Sequence, residues 1–84
     1  MKGKIYKVNR IRGMVAIQTE SGDFSVFERG EEKGNVGDEV EWNGDGIIGE
    51  VVLKNHSRQS TTIIIFKYHR VPLGTLNARL LFAT

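Results

Sequence analysis

The sequence predicts a mainly all-β chain in which five strands close into an antiparallel barrel within the first 54 residues. Short runs of alternating apolar and polar residues recur between residues 3 and 54, and turns rich in glycine separate most of them. The chain has 84 residues and no cysteine, so one modest core must hold the fold without disulfides or thiolate metal sites.

The first two strands are predicted at residues 3–9 and 14–19. The first is rich in β-favouring residues but does not alternate strictly, which predicts a bulge. The second alternates cleanly, with Val15 and Ile17 on the core face. Residues 20–22 then form a tight hairpin connection.

The third strand, residues 23–28, also alternates, and we expect Phe24 and Val26 to point inward and Ser25 and Phe27 outward. Residues 29–37 predict a polar loop. Residues 38–43 and 47–54 predict the fourth and fifth strands, separated by a glycine-rich turn at 43–46.

The tail, residues 55–84, predicts a basic extension of the barrel. Residues 61–68 are β-branched and aromatic, which favours a strand, and leucines recur beyond Pro72 at helical spacing, which predicts a short helix over 73–82. An unpaired isoleucine-rich strand would aggregate, so something must cover it. We expect the strand to pair with a barrel edge and the helix to cap the barrel mouth. The alternative is a homodimer through residues 61–82.

Charge is segregated along the chain. Residues 1–12 and 54–84 each carry five lysines and arginines and no acid, whereas residues 13–53 carry all ten acids against two bases. The basic ends therefore either form an anion-binding surface or fold against the acidic middle.

Several functional classes receive no support from the residues. The longest apolar block, residues 63–66, is far too short to span a bilayer, and the amino terminus lacks the apolar run of a signal peptide, so we expect a soluble, cytoplasmic protein. His56 and His69 have no cysteine or neighbouring acid that would complete a metal site or a catalytic triad. We expect no metal, no cofactor and no enzymatic activity.

The order and spacing of residues 1–5, Asn9 and residues 12–19, 23–28 and 36–42 resemble the cold-shock domain family. The resemblance covers roughly residues 1–54 and implies a five-stranded OB-type barrel. In that family, two ribonucleoprotein motifs on adjacent strands stack the bases of single-stranded RNA or DNA. We therefore expect a single-stranded nucleic acid, RNA first, as the partner.

The family's stacking positions are mostly not aromatic in this chain. Arg12 matches the basic start of the first motif, but Met14 and Ala16 occupy its two aromatic positions. In the second motif Ser25 replaces an aromatic residue and Phe27 stands at the histidine. Because each stacked base contributes about 1–3 kcal/mol, the resemblance implies weak, salt-dependent binding.

The predicted binding residues combine the remaining rings and a thioether with nearby cations. They are Tyr6, Lys7, Arg10, Arg12, Met14, Phe27, Lys54 and Arg58. Lys7 stands where the family has a surface tryptophan. The alternative function is a non-enzymatic protein-interaction or regulatory module whose open face is covered by the tail or by a partner.

Overall fold

The computed structural model describes residues 1–29, 34–44 and 46–81, apart from the side chain of Arg29. These residues form six strands followed by a single 3-10 turn (Leu73–Thr75) and a short helix, α1 (Leu76–Arg79). The strands are β1 (Lys2–Asn9), β2 (Met14–Thr19), β3 (Phe24–Arg29), β4 (Glu39–Trp42), β5 (Gly49–Asn55) and β6 (Ser60–Val71).

The strands close into one barrel in the order β1-β2-β3-β6-β5-β4, with β4 pairing back onto β1. Every neighbouring pair is antiparallel. The predicted all-β antiparallel barrel is therefore confirmed. The predicted bulge in β1 is also present, because the register with β2 shifts between Ile5 and Lys7.

The barrel does not end at residue 54, however, and it has six strands rather than five. β6 lies between β3 and β5 and pairs with both, so the predicted tail strand at 61–68 is part of the barrel wall. Ile64 and Phe66 of this strand are fully buried in the barrel core. Closure by β6 gives both β3 and β5 a hydrogen-bonded neighbour, which removes the open edge that a five-strand arrangement would leave.

The barrel interior is a continuous apolar core with two aromatic contacts at its centre. The Phe66 ring lies 5.3 Å from the Trp42 ring and 6.0 Å from the Phe27 ring. Such tilted and edge-to-face ring pairs add to the stabilisation from burial. The buried members are Ile5, Val15, Ile17, Phe27, Val40, Trp42, Leu53, Ile64 and Phe66.

The predicted facing of β3 is wrong. Phe27 pairs directly with Val15 across β2 and β3, and Ser25 pairs with Ile17. Since directly paired residues share a face of the sheet, Phe27 and Ser25 point inward. The alternation of residues in β3 does not show which face points inward, because the barrel core covers one face and the C-terminal segment covers the other.

A second apolar cluster lies outside the barrel, on the outer face of β2 and β3. Leu76 and Leu80 of the C-terminal segment are buried there against strand residues. The strand members are Met14, Ala16, Phe24, Val26 and Val71. The segment after β6 therefore covers a sheet face of the same chain instead of capping the barrel mouth.

The C-terminal helix is shorter than the predicted 73–82. Leu81 has a φ of 63°, and a residue in this left-handed region ends a helix. Residue 82 lies outside the described residues, as do residues 30–33 of the predicted loop and Asp45 of the predicted turn.

Candidate nucleic-acid interface

The turn between β1 and β2, residues 10–13, is fixed by one buried side chain. Asn9 accepts a hydrogen bond at Oδ1 from the Arg12 backbone N–H, 3.4 Å away, and donates from Nδ2 to the Leu80 carbonyl oxygen at 2.8 Å. Gly13 completes the turn with a φ of 68°, which glycine adopts without strain. Asn9 thus ties the turn to the C-terminal segment.

This turn presents two cations on either side of an apolar side chain. Arg10, Ile11 and Arg12 are all exposed, and Ile11 keeps 95% of its surface accessible. Arg10 donates from Nη2 to Oδ1 of Asn35 at 3.1 Å. Within the part of the chain that the structure describes, neither arginine forms an ion pair with an acid. We call residues 10–12 the basic turn.

The turn between β5 and β6 repeats the same construction. Asn55 is buried, and its Oδ1 accepts from the Arg58 backbone N–H at 3.1 Å. Gln59 has a φ of 53°, in the position that Gly13 occupies in the basic turn. Asn55 also donates from Nδ2 to Oδ2 of Asp38 at 3.0 Å. Asparagine followed three residues later by arginine therefore marks both turns.

Both turns contact one short segment, residues 35–39, and so lie at the same end of the barrel. Arg10 contacts Asn35, as described above. On the other side, the His56 backbone N–H donates to the Glu39 carbonyl oxygen at 2.8 Å, and the Glu39 N–H donates to Oγ of Ser57 at 2.9 Å.

The two turns differ in their electrostatic surroundings. His56 in the second turn lies with Nε2 2.7 Å from Oε1 of Glu41. This hydrogen bond, helped by nearby Lys2 and Lys54, lowers the pKa of the exposed Glu41 carboxyl below its usual value of 4.5. Glu41 therefore stays ionised beside the second turn and offsets its cations, so, counting the described residues alone, the basic turn is the more cationic of the two.

Two predicted base-contacting residues are not accessible. Phe27 is completely buried in the barrel interior, so the prediction that it stacks on a base is wrong in this fold. Met14 faces outward from β2 as predicted but is only 5% exposed, because Leu76 and Leu80 lie over it. The tail thus covers the outer face of β2 and β3.

Tyr6 and Lys7 border this covered face. The Tyr6 ring is partly exposed and lies 4.8 Å from the Phe24 ring. Lys7 donates from Nζ to Oδ1 of Asn77 at 2.6 Å, so it contacts the short helix. On the opposite side of the helix, the Arg79 guanidinium lies 4.7 Å from the centre of the Tyr68 ring. The helix is therefore held on both sides.

The structure brings some of the predicted site residues together and separates others. Arg10 and Arg12 form the basic turn, and Arg58 lies at the same end of the barrel. Lys54 is exposed on the outer face of β5, one residue before Asn55. Sequence reasoning missed Ile11 and the anchoring role of the two asparagines, for which the repeated Asn-x-x-Arg spacing was a usable signal.

A serine–histidine pair closes the opposite end of the barrel. His69 lies with Nε2 2.6 Å from the Ile47 carbonyl oxygen and Nδ1 2.8 Å from Oγ of Ser25. A carbonyl only accepts, so Nε2 donates to Ile47, and in the neutral imidazole Nδ1 then accepts from Oγ of Ser25. Ser25 is buried, and the contact satisfies a polar group that would otherwise be unpaired inside the barrel.

The described residues offer neither a metal-binding cluster nor a membrane-spanning helix. Outside the masked positions, no three histidine, aspartate or glutamate side chains lie close enough together to hold a metal ion. None of the helices in the described ranges has the length and apolar character needed to cross a bilayer.

Comparison with known proteins identifies no relative for this chain. No protein-family model, no curated protein and no solved structure matches it. The cold-shock resemblance therefore stays a prediction, and the function must be argued from the geometry of the chain itself.

Proposed function

We propose that this protein is a non-catalytic module that binds single-stranded nucleic acid, RNA first, through the phosphate backbone at the basic turn. The observation that carries the proposal is the pair of exposed arginines, Arg10 and Arg12, on a turn that buried Asn9 holds in place. A guanidinium group donates two hydrogen bonds in a fixed geometry that suits phosphate oxygens. A fixed turn also reduces the ordering cost of binding.

Ile11 supplies the apolar part of the same site. An isoleucine with 95% of its surface exposed gains by contacting an unstacked base while its two neighbours contact phosphates. Such contact favours single strands, whose bases are open, over a regular duplex. It does not distinguish one base from another, so binding has little sequence preference.

The contribution of ring stacking is small in this proposal. Phe27 is inside the barrel, and Met14 is under the tail. Of the predicted ring and thioether contacts, partly exposed Tyr6 remains, and one face of its ring contacts Phe24. Affinity therefore depends on few phosphate contacts, in the range of about 10⁻⁴ to 10⁻⁶ M typical of non-specific nucleic-acid binding.

Salt dependence gives the sharpest test. Two or three neutralised phosphates on a single strand predict a slope of log K against log salt of about −1.4 to −2.1, or roughly a tenfold loss of affinity between 50 and 200 mM. Fluorescence anisotropy with a labelled 12-nucleotide RNA measures both affinity and slope. No binding at 20 mM salt and about 1 mM protein would rule out the proposal.

A matched pair of variants locates the site. The double variant Arg10→Gln, Arg12→Gln removes two charges from the basic turn and should lower affinity at least about tenfold and flatten the salt slope by about 1.4. The control Lys2→Gln, Lys4→Gln removes the same charge from β1, where Lys4 lies 4.0 Å from Glu39. An equal loss in the control would show that net charge, and not the basic turn, drives binding.

A second candidate function is a protein-interaction or regulatory module whose sheet face is covered by the tail. The burial of Leu76 and Leu80 over Met14 favours it, since displacement of the tail would open an apolar face. Its test removes residues 72–84 and leaves β6 intact. Oligonucleotide binding that appears only after this truncation would favour the second candidate over the first.

A further inference from the structure

The outer face of the β5–β6 hairpin carries an apolar strip that no described part of the chain covers. Val52 and Ile63 are directly paired across the two strands and are 52% and 58% exposed. Ile65, two residues further along β6, is 38% exposed. Charged residues surround the strip, namely Glu50 and Lys54 on β5 and Lys67 on β6. The Nζ atom of Lys67 lies 3.5 Å from Oε2 of Glu28. We call Val52, Ile63 and Ile65 the outer strip.

An apolar centre with a charged rim is the arrangement of a protein–protein interface. Each described strand of the closed barrel pairs with a neighbour on both of its sides over part of its length, which disfavours the addition of a strand from another chain. We therefore expect a partner to contact the outer strip face to face. The short helix is not available for this contact, because it lies on the outer face of β2 and β3.

The positions of the charges indicate what the partner is. Along β5, Lys54 lies two residues to one side of Val52 and Glu50 lies two residues to the other side. In the part of the chain that the structure describes, neither Lys54 nor Glu50 forms an ion pair. Consider a second copy that faces the first and is related to it by a two-fold axis perpendicular to the strands. Its strands run in the opposite direction, so Lys54 of each copy lies opposite Glu50 of the other.

The same axis would place Ile63 opposite Ile63 and Val52 opposite Val52. A two-fold axis along the strands would instead place Glu50 opposite Ile65 and leave its carboxylate facing an apolar side chain, which is unfavourable. We infer that the outer strip binds a second copy of this chain, with β5 antiparallel to β5 of the partner and two reciprocal Lys54–Glu50 contacts. This self-association is independent of nucleic-acid binding at the basic turn.

The dimer should be weak and reversible. One hairpin face is smaller than a standard interface of about 800 Å² per partner, and contacts of this size are typical of transient complexes. We therefore expect a dissociation constant of about 0.1–1 mM. Sedimentation equilibrium of the full chain from about 10 µM to 2 mM covers this range.

Charge reversal tests the orientation. Lys54→Glu and Glu50→Lys should each weaken the dimer about tenfold, because each replaces two attractive contacts with two repulsive ones. The double variant should restore affinity to within about threefold of the original chain, since the pairs re-form with opposite polarity. Ile63→Thr should abolish dimerisation, and circular dichroism should show it folded, because threonine suits an exposed strand position.

Three results would overturn the inference. The first is a monomer at every concentration. The second is a dimer that Ile63→Thr leaves unchanged, which would place the interface elsewhere. The third is failure of the double variant to recover, which would contradict the reciprocal pairing.

Discussion

Two outer faces of the barrel are both apolar, but the described residues cover only one of them. On β2 and β3 the outward side chains include Met14 and Phe24, and the segment after Pro72 buries them. On β5 and β6 the outward side chains include Val52 and Ile63, and they stay exposed. Lys54 and Glu50 flank Val52 along the exposed face, and Lys7 borders the covered face, where its Nζ donates to Oδ1 of Asn77. Charge flanks both faces, so the feature that separates them is the tail: Leu76 and Leu80 are buried on one face, and no described segment packs on Val52 and Ile63.

The two faces should differ most in how far a truncated side chain lowers the free energy of unfolding. Leu80→Ala should lower the free energy of unfolding by about 2–4 kcal/mol, because it leaves a cavity over Met14. Ile63→Ala on the exposed face should change it by less than about 1 kcal/mol. Urea denaturation at micromolar protein, far below the dissociation constant of the proposed dimer, measures both. Equal losses would mean that the tail does not bury the outer face of β2 and β3.

An intermediate effect is expected where the basic turn meets the tail. Asn9→Ala removes the hydrogen bonds to Leu80 and Arg12 and should cost about 1–3 kcal/mol. Asn55→Ala should cost a similar amount, because it leaves the Arg58 N–H unpaired in the second turn. Only Asn9→Ala should accelerate amide exchange in residues 76–81. If both variants did so, the link between the basic turn and the tail would be incorrect.

The smallest effect concerns pH at the second turn. Hydrogen bonding to His56 lowers the pKa of Glu41, so this carboxylate stabilises the fold above pH 4.5 and loses that contribution as pH falls through its folded-state pKa. His56→Ala should raise the Glu41 pKa toward 4.5, as measured by carboxyl NMR titration. An unchanged pKa would show that the charges of Lys2 and Lys54 are the main cause.

The sequence predicts the strands well because hydrophobic alternation and glycine turns are local signals. Residues 14–19 are predicted with the bounds that β2 has, and the bulge in β1 follows from failed alternation. The closure of the barrel by β6 is a long-range pairing with β3, which no local pattern contains. The resemblance to a five-stranded family also placed the barrel end at residue 54, before the closing strand.

The sequence predicts only part of the binding site, because only part of it depends on local signals. Arg10 and Arg12 are recognisable from the charge of an exposed turn. The burial of Phe27 depends on its register against Val15, and the burial of Met14 depends on where the tail lies. Both are tertiary facts. Alternation cannot assign an inward face when both faces of a strand are apolar.

We propose that the basic turn contacts nucleic acid while the tail stays on its sheet face. Amide NMR of the uniformly labelled chain, titrated with a short RNA at low salt, tests it most directly. We expect shift changes concentrated at residues 10–13 and at Asn35, with residues 72–81 unperturbed. Shift changes centred on the tail and the outer face of β2 and β3 would contradict it, as would a spectrum that RNA leaves unchanged.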